Sequence, residues 1–290
     1  MNREINKKLL LFVLIIFALE GIFFFIGDFK YNQAIRSEEK KLEILKNTLA
    51  NVPVLAKAFS VYDITEQKEI YNKNGDLQLP LASLAKTMTA LIVFKNYKLD
   101  DEINISQISI EQEGDNGLFV NEKWKVADLI KFTLVASSND GAVALSQDDE
   151  NFIEKMNDQA QKIGMNSTVF LNATGLDFDE ELSGVYSSAR DANIMAIYAL
   201  QNYPEVFNIT TLAEVNLKSE SGFEHNIKNT NIIVDKIPNI LFSKTGLTSL
   251  AGGNLTIIFV NKEGHEIAIT VLGSTIDGRF SDMEKLVNVL

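Results

Sequence analysis

The sequence has 290 residues, 46% of them hydrophobic, which is enough to bury one large core or two closely packed lobes. Its formal net charge is −12 and no basic patch is interleaved with aromatic residues, so we expect no nucleic-acid partner. It has no cysteine, which excludes disulfides, thiol catalysis and cysteine-bound zinc. The two histidines, His225 and His265, form no HExxH pattern, and we interpret them as loop or edge-strand residues rather than as parts of a zinc peptidase or a Ser-His-Asp hydrolase.

The N-terminus carries a basic segment, MNREINKK, followed by an apolar run at residues 9–26 that only Glu20 and Gly21 interrupt. Eighteen residues are just enough to span a bilayer, and the basic residues orient the rest of the chain outward. We predict that residues 1–29 are an N-terminal membrane anchor or signal segment, so that the protein is exported and held on the outer face of the cytoplasmic membrane by residues 9–26. A cleaved signal peptide is the alternative, although no small-x-small cleavage site stands near the end of the run.

After this segment, hydrophobic periodicity predicts strands at both ends of the chain and helices between them. The predicted elements, in chain order, are a polar helical spacer at residues 30–51, a β-hairpin at 54–71, an apolar helix at 80–94, a loop and a short strand in KNYKLDDEINIS, helices at 126–145, 150–163 and 187–200, a strand in TLAEVNL, a polar loop that contains His225, strands in NILFSKTG, NLTIIFVNK and HEIAITVLG, and a helical tail, SDMEKLVNVL. Because the terminal strands have to pair, we predict an α+β fold: an antiparallel sheet flanked by helices, with an inserted all-helical lobe and a ligand cleft between the two lobes.

The apolar helix at residues 80–94, with Pro80 at its entry, carries two reactive polar groups in its predicted first turn, Ser83 and Lys86. Residues three apart share a helix face, so the lysine amine can lie beside the serine hydroxyl. A desolvated amine near other cations has a depressed pKa and can take the serine proton, and the helix N-terminus favours a developing oxyanion. The pair therefore predicts a serine nucleophile with a lysine base. The same spacing recurs at Ser37 and Lys40, in the charged run SEEKK, where we interpret it as solvated linker.

Two further polar triplets interrupt apolar segments. In Ser137-Ser138-Asn139, between predicted helices, the first serine could relay a proton and the asparagine could bind a substrate amide, although such a triplet is by itself more typical of a helix-breaking turn or an N-cap. In Lys244-Thr245-Gly246, the glycine permits close approach of another backbone, and the lysine and threonine can bind a carboxylate. A polar face of an edge strand is the alternative interpretation of the second triplet.

These three motifs, in this order, resemble those of the penicillin-recognising serine enzymes. With the segments NATGLD, SSARD and LFSKTGLT, the chain is similar over roughly residues 52–290 to the serine-type D-Ala-D-Ala carboxypeptidases of peptidase family S11, the low-molecular-mass penicillin-binding proteins. The resemblance implies a catalytic domain at residues 52–290 with a β-lactamase/transpeptidase-like fold and neither a metal nor another cofactor. It also implies that the enzyme removes the terminal D-Ala from peptidoglycan stem peptides ending in D-Ala-D-Ala through an acyl-enzyme, and that β-lactams are covalent inhibitors.

The resemblance further implies a role for each matching position. Ser83 is expected to be the nucleophile, Lys86 its general base, and Ser137 a relay that assists proton transfer to the leaving amine. The backbone N–H groups of Ser83 and Leu247 are expected to form the oxyanion hole. Arg279, in IDGRFSD, matches a family arginine that engages the substrate carboxylate, although a surface arginine at a strand–helix turn is the alternative. The positions expected to bind the substrate are Asn139, Lys244, Thr245, Gly246, Leu247 and Arg279.

Several related proteins are alternatives. A class A β-lactamase needs a Glu-x-x-Leu-Asn pattern, but the one Leu-Asn of the chain is Leu171-Asn172 and Thr168 stands where the glutamate is required, so we predict that a β-lactam acyl-enzyme persists. An endopeptidase that cuts D-Ala cross-links is the nearest alternative. A catalytically inactive module that binds β-lactams or peptidoglycan is another, against which the intact Ser83 and Lys86 argue.

Two departures from the family pattern affect these expectations. Positions 247–250 read Leu-Thr-Ser-Leu, where many relatives are more polar, so the family pattern does not predict the substrate contacts at these positions. Many relatives also carry a β-rich C-terminal domain and an amphipathic tail after the catalytic domain, whereas this sequence ends soon after its last predicted helix. We expect the apolar N-terminal run to provide membrane attachment instead.

Overall fold

The computed structural model describes residues 31–33, 35–114 and 117–290 of the chain. The predicted anchor at residues 9–26 lies outside this part, and within it none of the helices combines the length and apolarity that a membrane span requires. Contacts within the chain separate a unit that ends at Thr48 from a second unit, Leu49–Leu290. Residues 35–50 are helical (α1).

The second unit contains both strands and helices, with strands at its two ends and a mixture of the two between them. The strands are β1 Ala58–Asp63, β2 Lys68–Lys73, β3 Leu79–Pro80, β4 Glu102–Asn104, β5 Lys123–Lys125, β6 Val169–Phe170, β7 Val185–Ser187, β8 Glu214–Lys218, β9 Glu224–Lys228, β10 Ile240–Thr248, β11 Gly252–Val260 and β12 Glu266–Ser274. The α-helices are α2 Lys86–Asn96, α3 Gln107–Ile110, α4 Val126–Val135, α5 Asn139–Ser146, α6 Phe152–Lys162, α7 Ala189–Asn202, α8 Pro204–Phe207 and α9 Gly278–Val289. Single turns of 3₁₀ helix occur at Ala82–Ala85, Asn208–Thr211 and Val234–Lys236.

A five-stranded antiparallel sheet joins the two ends of this unit. Its strand order is β10-β11-β12-β1-β2, so that the N-terminal hairpin pairs with the last strand of the chain, with Phe59 opposite Val271. β11 and β12 are buried along most of their length because helices cover the sheet, with α7 and α9 packed against both strands. The predicted pairing of the terminal strands and the α+β class are confirmed. β10 lies at one edge of the sheet. Its outer edge faces the inserted segment, which is the part of the chain between β2 and β10.

The inserted segment is built around α2. Every residue of this helix from Lys86 to Val93 is buried, as its apolar sequence predicts, and its side chains join those of α4, α6 and α7 in one core. The inserted lobe was expected to be all-helical, but it also contains the two-stranded sheets β4–β5 and β8–β9 and the small three-stranded sheet β3-β7-β6. In the β8–β9 hairpin, the buried Val215 and Ile227 lie opposite each other, and in β8 the apolar Val215 and Leu217 alternate with exposed polar residues.

Two local predictions are wrong in detail. Pro80 does not begin the apolar helix: it lies in β3, paired with Tyr186 of β7, and the helix begins with the 3₁₀ turn before it becomes α2. The segment around His225 was predicted as a loop but forms β9, so that His225 is an edge-strand residue, the second of its two interpretations; its Nε2 is 2.6 Å from Oε1 of the buried Glu122. The pairing partner of Pro80 is distant in sequence, which local periodicity does not reveal. β9 pairs with the nearby β8, but its sequence, EHNIK, has a single apolar residue and so shows no alternation that would predict a strand. His265 does lie in a turn, between β11 and β12.

Candidate active site

Ser83 lies in a tightly packed turn between β3 and α2. The preceding residue, Ala82, has φ of 53°, a left-handed conformation that is unusual for a residue with a side chain. Two glycines pack their backbones against this turn: a Cβ at Gly175 would overlap the carbonyl of Ala82, and one at Gly246 would lie 2.9 Å from the carbonyl oxygen of Leu81. The close approach predicted for the glycine of the Lys-Thr-Gly triplet is therefore an approach to the serine turn.

Lys86, the first residue of α2, has a fully buried side chain whose Nζ has three oxygen neighbours. It lies 2.8 Å from Ser83 Oγ, 2.6 Å from Asn139 Oδ1 and 2.7 Å from the carbonyl oxygen of Thr174. The two carbonyl oxygens can only accept hydrogen bonds, whereas the serine hydroxyl can also donate one. A neutral amine satisfies this arrangement fully, because its two N–H groups face the carbonyls and its lone pair faces the hydroxyl of Ser83.

The electrostatic surroundings favour that neutral form. Burial is the largest influence and lowers the pKa of Lys86 well below its usual value of 10.5. The positive charge of Lys244 lowers this pKa further, and the carboxylate of Asp140 acts in the opposite direction. Geometry and charge together thus prepare the amine to accept the proton of the serine hydroxyl.

The carbonyl of Thr174 is a site component that sequence reasoning missed. Asn172 holds it in place: its Oδ1 accepts hydrogen bonds from the backbone N–H groups of Thr174 (3.2 Å) and Gly175 (2.7 Å), and its Nδ2 donates to the carbonyl of Leu176 at 2.9 Å. Such local turns are typical of asparagine. The segment NATGLD signalled a loop, but a backbone carbonyl has no signature of its own in a sequence.

The Ser-Ser-Asn triplet combines both interpretations that its sequence allowed. Ser138 is the N-cap of α5, and its Oγ accepts a hydrogen bond from the backbone N–H of Gly141 at 3.0 Å. The residues on either side of it face the cleft. Ser137 has φ of 56°, and the side chain of Asn139 presents its oxygen to the lysine of α2 while its Nδ2 donates to the carbonyl of Glu113 at 2.7 Å.

Lys244 reaches the same cleft from the edge strand β10. Its side chain is buried, and its Nζ donates to Ser137 Oγ at 2.7 Å and to the carbonyl oxygen of Thr245 at 3.1 Å. Burial, and then repulsion by Arg279, lowers the pKa of Lys244 to about 7. The hydroxyl of Thr245 lies 2.6 Å from that of Thr230. The triplet is thus not a solvated strand face.

Arg279 also belongs to this cleft and is not a surface residue. It lies in the first turn of α9, only 8% exposed, and its Nη1 donates to the carbonyl of Gly246 at 2.7 Å. Burial lowers the pKa of its guanidinium, against the effect of Asp277. Arg279 follows shortly after β12, which ends at Ser274, and its role in binding a substrate carboxylate stays a prediction.

The two predicted oxyanion donors, the backbone N–H groups of Ser83 and Leu247, belong to residues that directly follow a close contact between two chain segments. Gly246 of β10 packs against Ala82, and the next residues along each chain segment are Leu247 and Ser83. The side chain of Leu247 is 42% exposed at the rim. The role of the two N–H groups stays a prediction, as do the roles of the other predicted site residues, but all of these residues lie around a single cleft between β10 and the inserted segment.

Comparison with known proteins identifies the family of this chain. The family model of the D-alanyl-D-alanine carboxypeptidases, peptidase family S11, matches residues 46–275. D-alanyl-D-alanine carboxypeptidase DacF of Bacillus subtilis is 31% identical over 232 residues, which are 76% of this chain and 58% of that protein. The D-alanyl-D-alanine endopeptidase of Escherichia coli is 31% identical over 215 residues, 71% of this chain and 67% of that protein. The chain spans about three fifths of the length of the carboxypeptidases that it matches.

Solved structures share the fold. Penicillin-binding protein D2 from Listeria monocytogenes, in its ampicillin-bound form, is 29% identical with a TM-score of 0.69, over 82% of this chain and 98% of that chain. The Streptomyces K15 DD-transpeptidase is 25% identical with a TM-score of 0.74, over 82% of this chain and 97% of that chain. The β-lactamase/transpeptidase-like fold is thereby confirmed. Because the family model covers most of the sequence and penicillin-binding relatives share its fold, this protein belongs to peptidase family S11, the D-alanyl-D-alanine carboxypeptidases.

Proposed function

We propose that this protein is a serine D-alanyl-D-alanine carboxypeptidase that trims the terminal D-Ala from peptidoglycan stem peptides. The observation that carries the proposal is the position of Lys86: a fully buried amine 2.8 Å from Ser83 Oγ, with two carbonyl oxygens as its other partners. A serine beside such a base can act as a nucleophile without any histidine. Family membership supplies the substrate class.

Acylation begins with attack of Ser83 Oγ on the carbonyl carbon of the penultimate D-Ala. Lys86 takes the hydroxyl proton as the new C–O bond forms, and the negative charge on the former carbonyl oxygen is stabilised by the N–H groups of Ser83 and Leu247. The C–N bond then breaks, and the departing D-Ala nitrogen receives, by way of the Ser137 hydroxyl, the proton that Lys86 took from Ser83, so that Lys86 is neutral again. The Ser137 hydroxyl also accepts a hydrogen bond from Lys244. The products of this half-reaction are an ester on Ser83 and free D-Ala.

The terminal carboxylate of the substrate is bound by the cationic side of the cleft. Lys244 and Thr245 present an ammonium group and a hydroxyl from β10, and the guanidinium of Arg279 lies against the neighbouring carbonyl of Gly246. Ionic hydrogen bonds of this kind select a free carboxylate and orient the scissile bond. Asn139 is the group expected to hold the amide of the stem peptide, since it lies beside the nucleophile's base.

Deacylation returns the enzyme to its starting state. A water molecule attacks the ester carbonyl and gives its proton to Lys86, the serine oxygen leaves and takes that proton back, and the shortened peptide is released with a new carboxyl group.

The proposal is tested by incubating the full chain with a stem pentapeptide ending in D-Ala-D-Ala. We expect release of one D-Ala per peptide and, with penicillin, a covalent adduct on Ser83 by mass spectrometry. An unmodified Ser83 together with an intact pentapeptide would contradict the proposal.

Endopeptidase action is the second candidate, because relatives named D-alanyl-D-alanine endopeptidases are 31% and 32% identical to this chain, a sequence identity similar to that of the carboxypeptidases. The same acyl-enzyme forms from a cross-linked donor, with a longer amine as the leaving group. A cross-linked stem-peptide dimer, supplied beside the pentapeptide at equal concentration, distinguishes the two activities. Faster cleavage of the dimer would assign the endopeptidase. An inactive binding module predicts instead that Ser83→Ala leaves the cellular role unchanged.

We expect the penicilloyl adduct to persist, because the glutamate that serves as the deacylating base in class A β-lactamases is missing from the corresponding position. The position where the sequence pattern requires it holds Thr168, whose hydroxyl lies 2.7 Å from both Ser187 Oγ and an oxygen of Asp191. Steady-state hydrolysis of a chromogenic β-lactam should therefore stop after one equivalent, with Ser83→Ala as the control that shows no burst. Continued rapid turnover by the wild-type chain would contradict this prediction.

We further propose that the catalytic unit acts outside the cell, attached to the cytoplasmic membrane through residues 9–26. The support is the sequence alone: an apolar run preceded by basic residues. Fractionation of cells that express the full chain should place it in the membrane pellet after carbonate washing. The intact mass of the purified protein then distinguishes a retained segment from a cleaved one, and recovery in the soluble cytoplasmic fraction would contradict export.

A further inference from the structure

Asn254 has a buried amide that ties the serine turn to the central sheet. The residue lies in β11 and is fully buried. Its Nδ2 donates to the carbonyl oxygens of Pro80 and Leu81, each at 3.0 Å, and its Oδ1 accepts from the backbone N–H of Gly273 at 2.8 Å. The side chain therefore uses both of its N–H donors on the two residues that lead into the nucleophile's turn.

These two carbonyls directly precede the strained part of the site. Leu81 is followed by Ala82, whose φ of 53° is unfavourable for a residue with a Cβ, and then by Ser83. A left-handed conformation of this kind persists only where the surrounding structure holds it, and such strain is typical of functional sites. The other support of Leu81 is a backbone hydrogen bond from its N–H to the carbonyl of Val185 at 3.1 Å. The amide of Asn254, bound to the carbonyls of Pro80 and Leu81, completes a clamp on this part of the chain.

We propose that Asn254 is a positioning residue for acylation, an inference that rests on the proposed function of Ser83. By fixing the carbonyls of Pro80 and Leu81, its amide fixes the direction of the Ser83 Oγ relative to the amine of Lys86. Proton transfer and attack both depend on that direction, and a misplacement of about 1 Å can cost about 10²-fold in rate. Asn254 acts through the backbone and touches no reacting atom.

A purely structural role is the alternative, and the chain offers a matched residue for it. Asn193 of α7 is also buried, its Nδ2 donates to the carbonyl of Ser60 at 3.1 Å, and its Oδ1 accepts from Thr270 Oγ1 at 2.8 Å. It ties a helix to the same sheet, but its partners lie in β1 and β12 and not in the serine turn. Loss of either amide leaves buried polar groups without partners and lowers stability.

The test compares Asn254→Ala, Asn254→Asp and Asn193→Ala with the wild-type chain in stopped-flow acylation by a fluorescent penicillin. Rates are measured below each variant's unfolding temperature, and the initial binding constant is separated from the acylation rate constant. We expect the acylation rate constant to fall about tenfold or more in both Asn254 variants, with the initial binding constant changed less than twofold. Asn193→Ala should have a lower Tm and a wild-type acylation rate constant.

Asn254→Asp provides a readout that a structural role does not move. Its side chain keeps the shape of the amide and can donate one hydrogen bond only when protonated, whereas an ionised carboxylate would face two carbonyl oxygens. The acylation rate constant of Asn254→Asp relative to wild type should therefore fall as the pH rises. Wild-type acylation rates in the Asn254 variants, or an equal loss in Asn193→Ala, would overturn the inference alone. Failure of the wild-type chain to form an adduct at Ser83 would overturn the proposed function and this inference with it.

Discussion

Replacing Lys86 with methionine is expected to slow acylation of Ser83 by penicillin by about 10³-fold, because the variant has no group to take the serine proton. Methionine keeps most of the length and packing of the lysine stem. The acylation rate constant is measured by mass spectrometry of the adduct against time. Ser83→Ala should form no adduct at all, since the alanine offers no atom for the bond.

Two sets of controls show whether these effects belong to this one pair. Ser37→Ala and Lys40→Met change the same Ser-x-x-Lys spacing at exposed positions in α1 and should leave adduct formation unchanged. Lys95→Met removes another lysine of α2, whose Nζ donates to Gln159 at 2.6 Å, and should also acylate normally. A normal rate in the Lys86 variant, or an adduct on another side chain in Ser83→Ala, would contradict the assignment.

A Lys86 variant also leaves two carbonyl oxygens without a donor, at Asn139 and Thr174. An unsatisfied buried acceptor costs about 1–3 kcal/mol, so a lower Tm is expected in addition to the lost activity. Thermal unfolding therefore accompanies the rate measurement, and rates are compared at a temperature at which each variant is folded. A variant that is folded and slow separates catalysis from stability.

The second large effect is expected at Lys244, through substrate binding and through pH. Lys244→Met should lower kcat/KM for a peptide with a free terminal carboxylate about 10- to 100-fold, since an ionic hydrogen bond contributes about 1.5–3 kcal/mol. A peptide with an amidated C-terminus is the control. Because it offers no carboxylate, its kcat/KM should differ far less between the variant and the wild type. An equal loss on both peptides would mean that Lys244 acts on the reaction and not on the carboxylate.

The direction of the pH dependence follows from the two lowered lysine pKa values. Lys86 is the base only when neutral, so activity rises with pH as its proton leaves, and this rise occurs well below pH 10.5. Lys244 binds a carboxylate best when charged, so activity toward a carboxylate substrate falls as the pH passes about 7.

Lys244→Met should change both limbs of this profile. It removes the alkaline fall, and it moves the rising limb to higher pH because the charge of Lys244 no longer lowers the pKa of Lys86. The measurement is kcat/KM for the pentapeptide against pH for both proteins. A rising limb at the same pH in the two proteins would show that the two amines do not interact.

Most of the secondary structure could be predicted from local sequence patterns. The hairpin near the N-terminus, the divided helix around Ser137 and the three C-terminal strands were all predicted, because alternation and helical spacing report burial on one face of a single element. The α+β class and membership of peptidase family S11 are confirmed. Pro80 was misassigned because its strand partner, Tyr186, lies far along the chain. β9 was predicted as a loop because its sequence, EHNIK, has a single apolar residue and shows no alternation.

The Ser83–Lys86 pair could be predicted from the sequence, because a spacing of three residues brings two side chains to one face of a helical turn. The groups that surround the pair depend instead on contacts between residues far apart in the chain. The amine meets Asn139 across 53 residues and the carbonyl of Thr174 across 88, and Lys244 meets Ser137 across 107. Neither the carbonyl of Thr174 nor the clamp at Asn254 has a local signature, because a backbone carbonyl is common to every residue and a buried amide is identified only by the partners that folding brings to it.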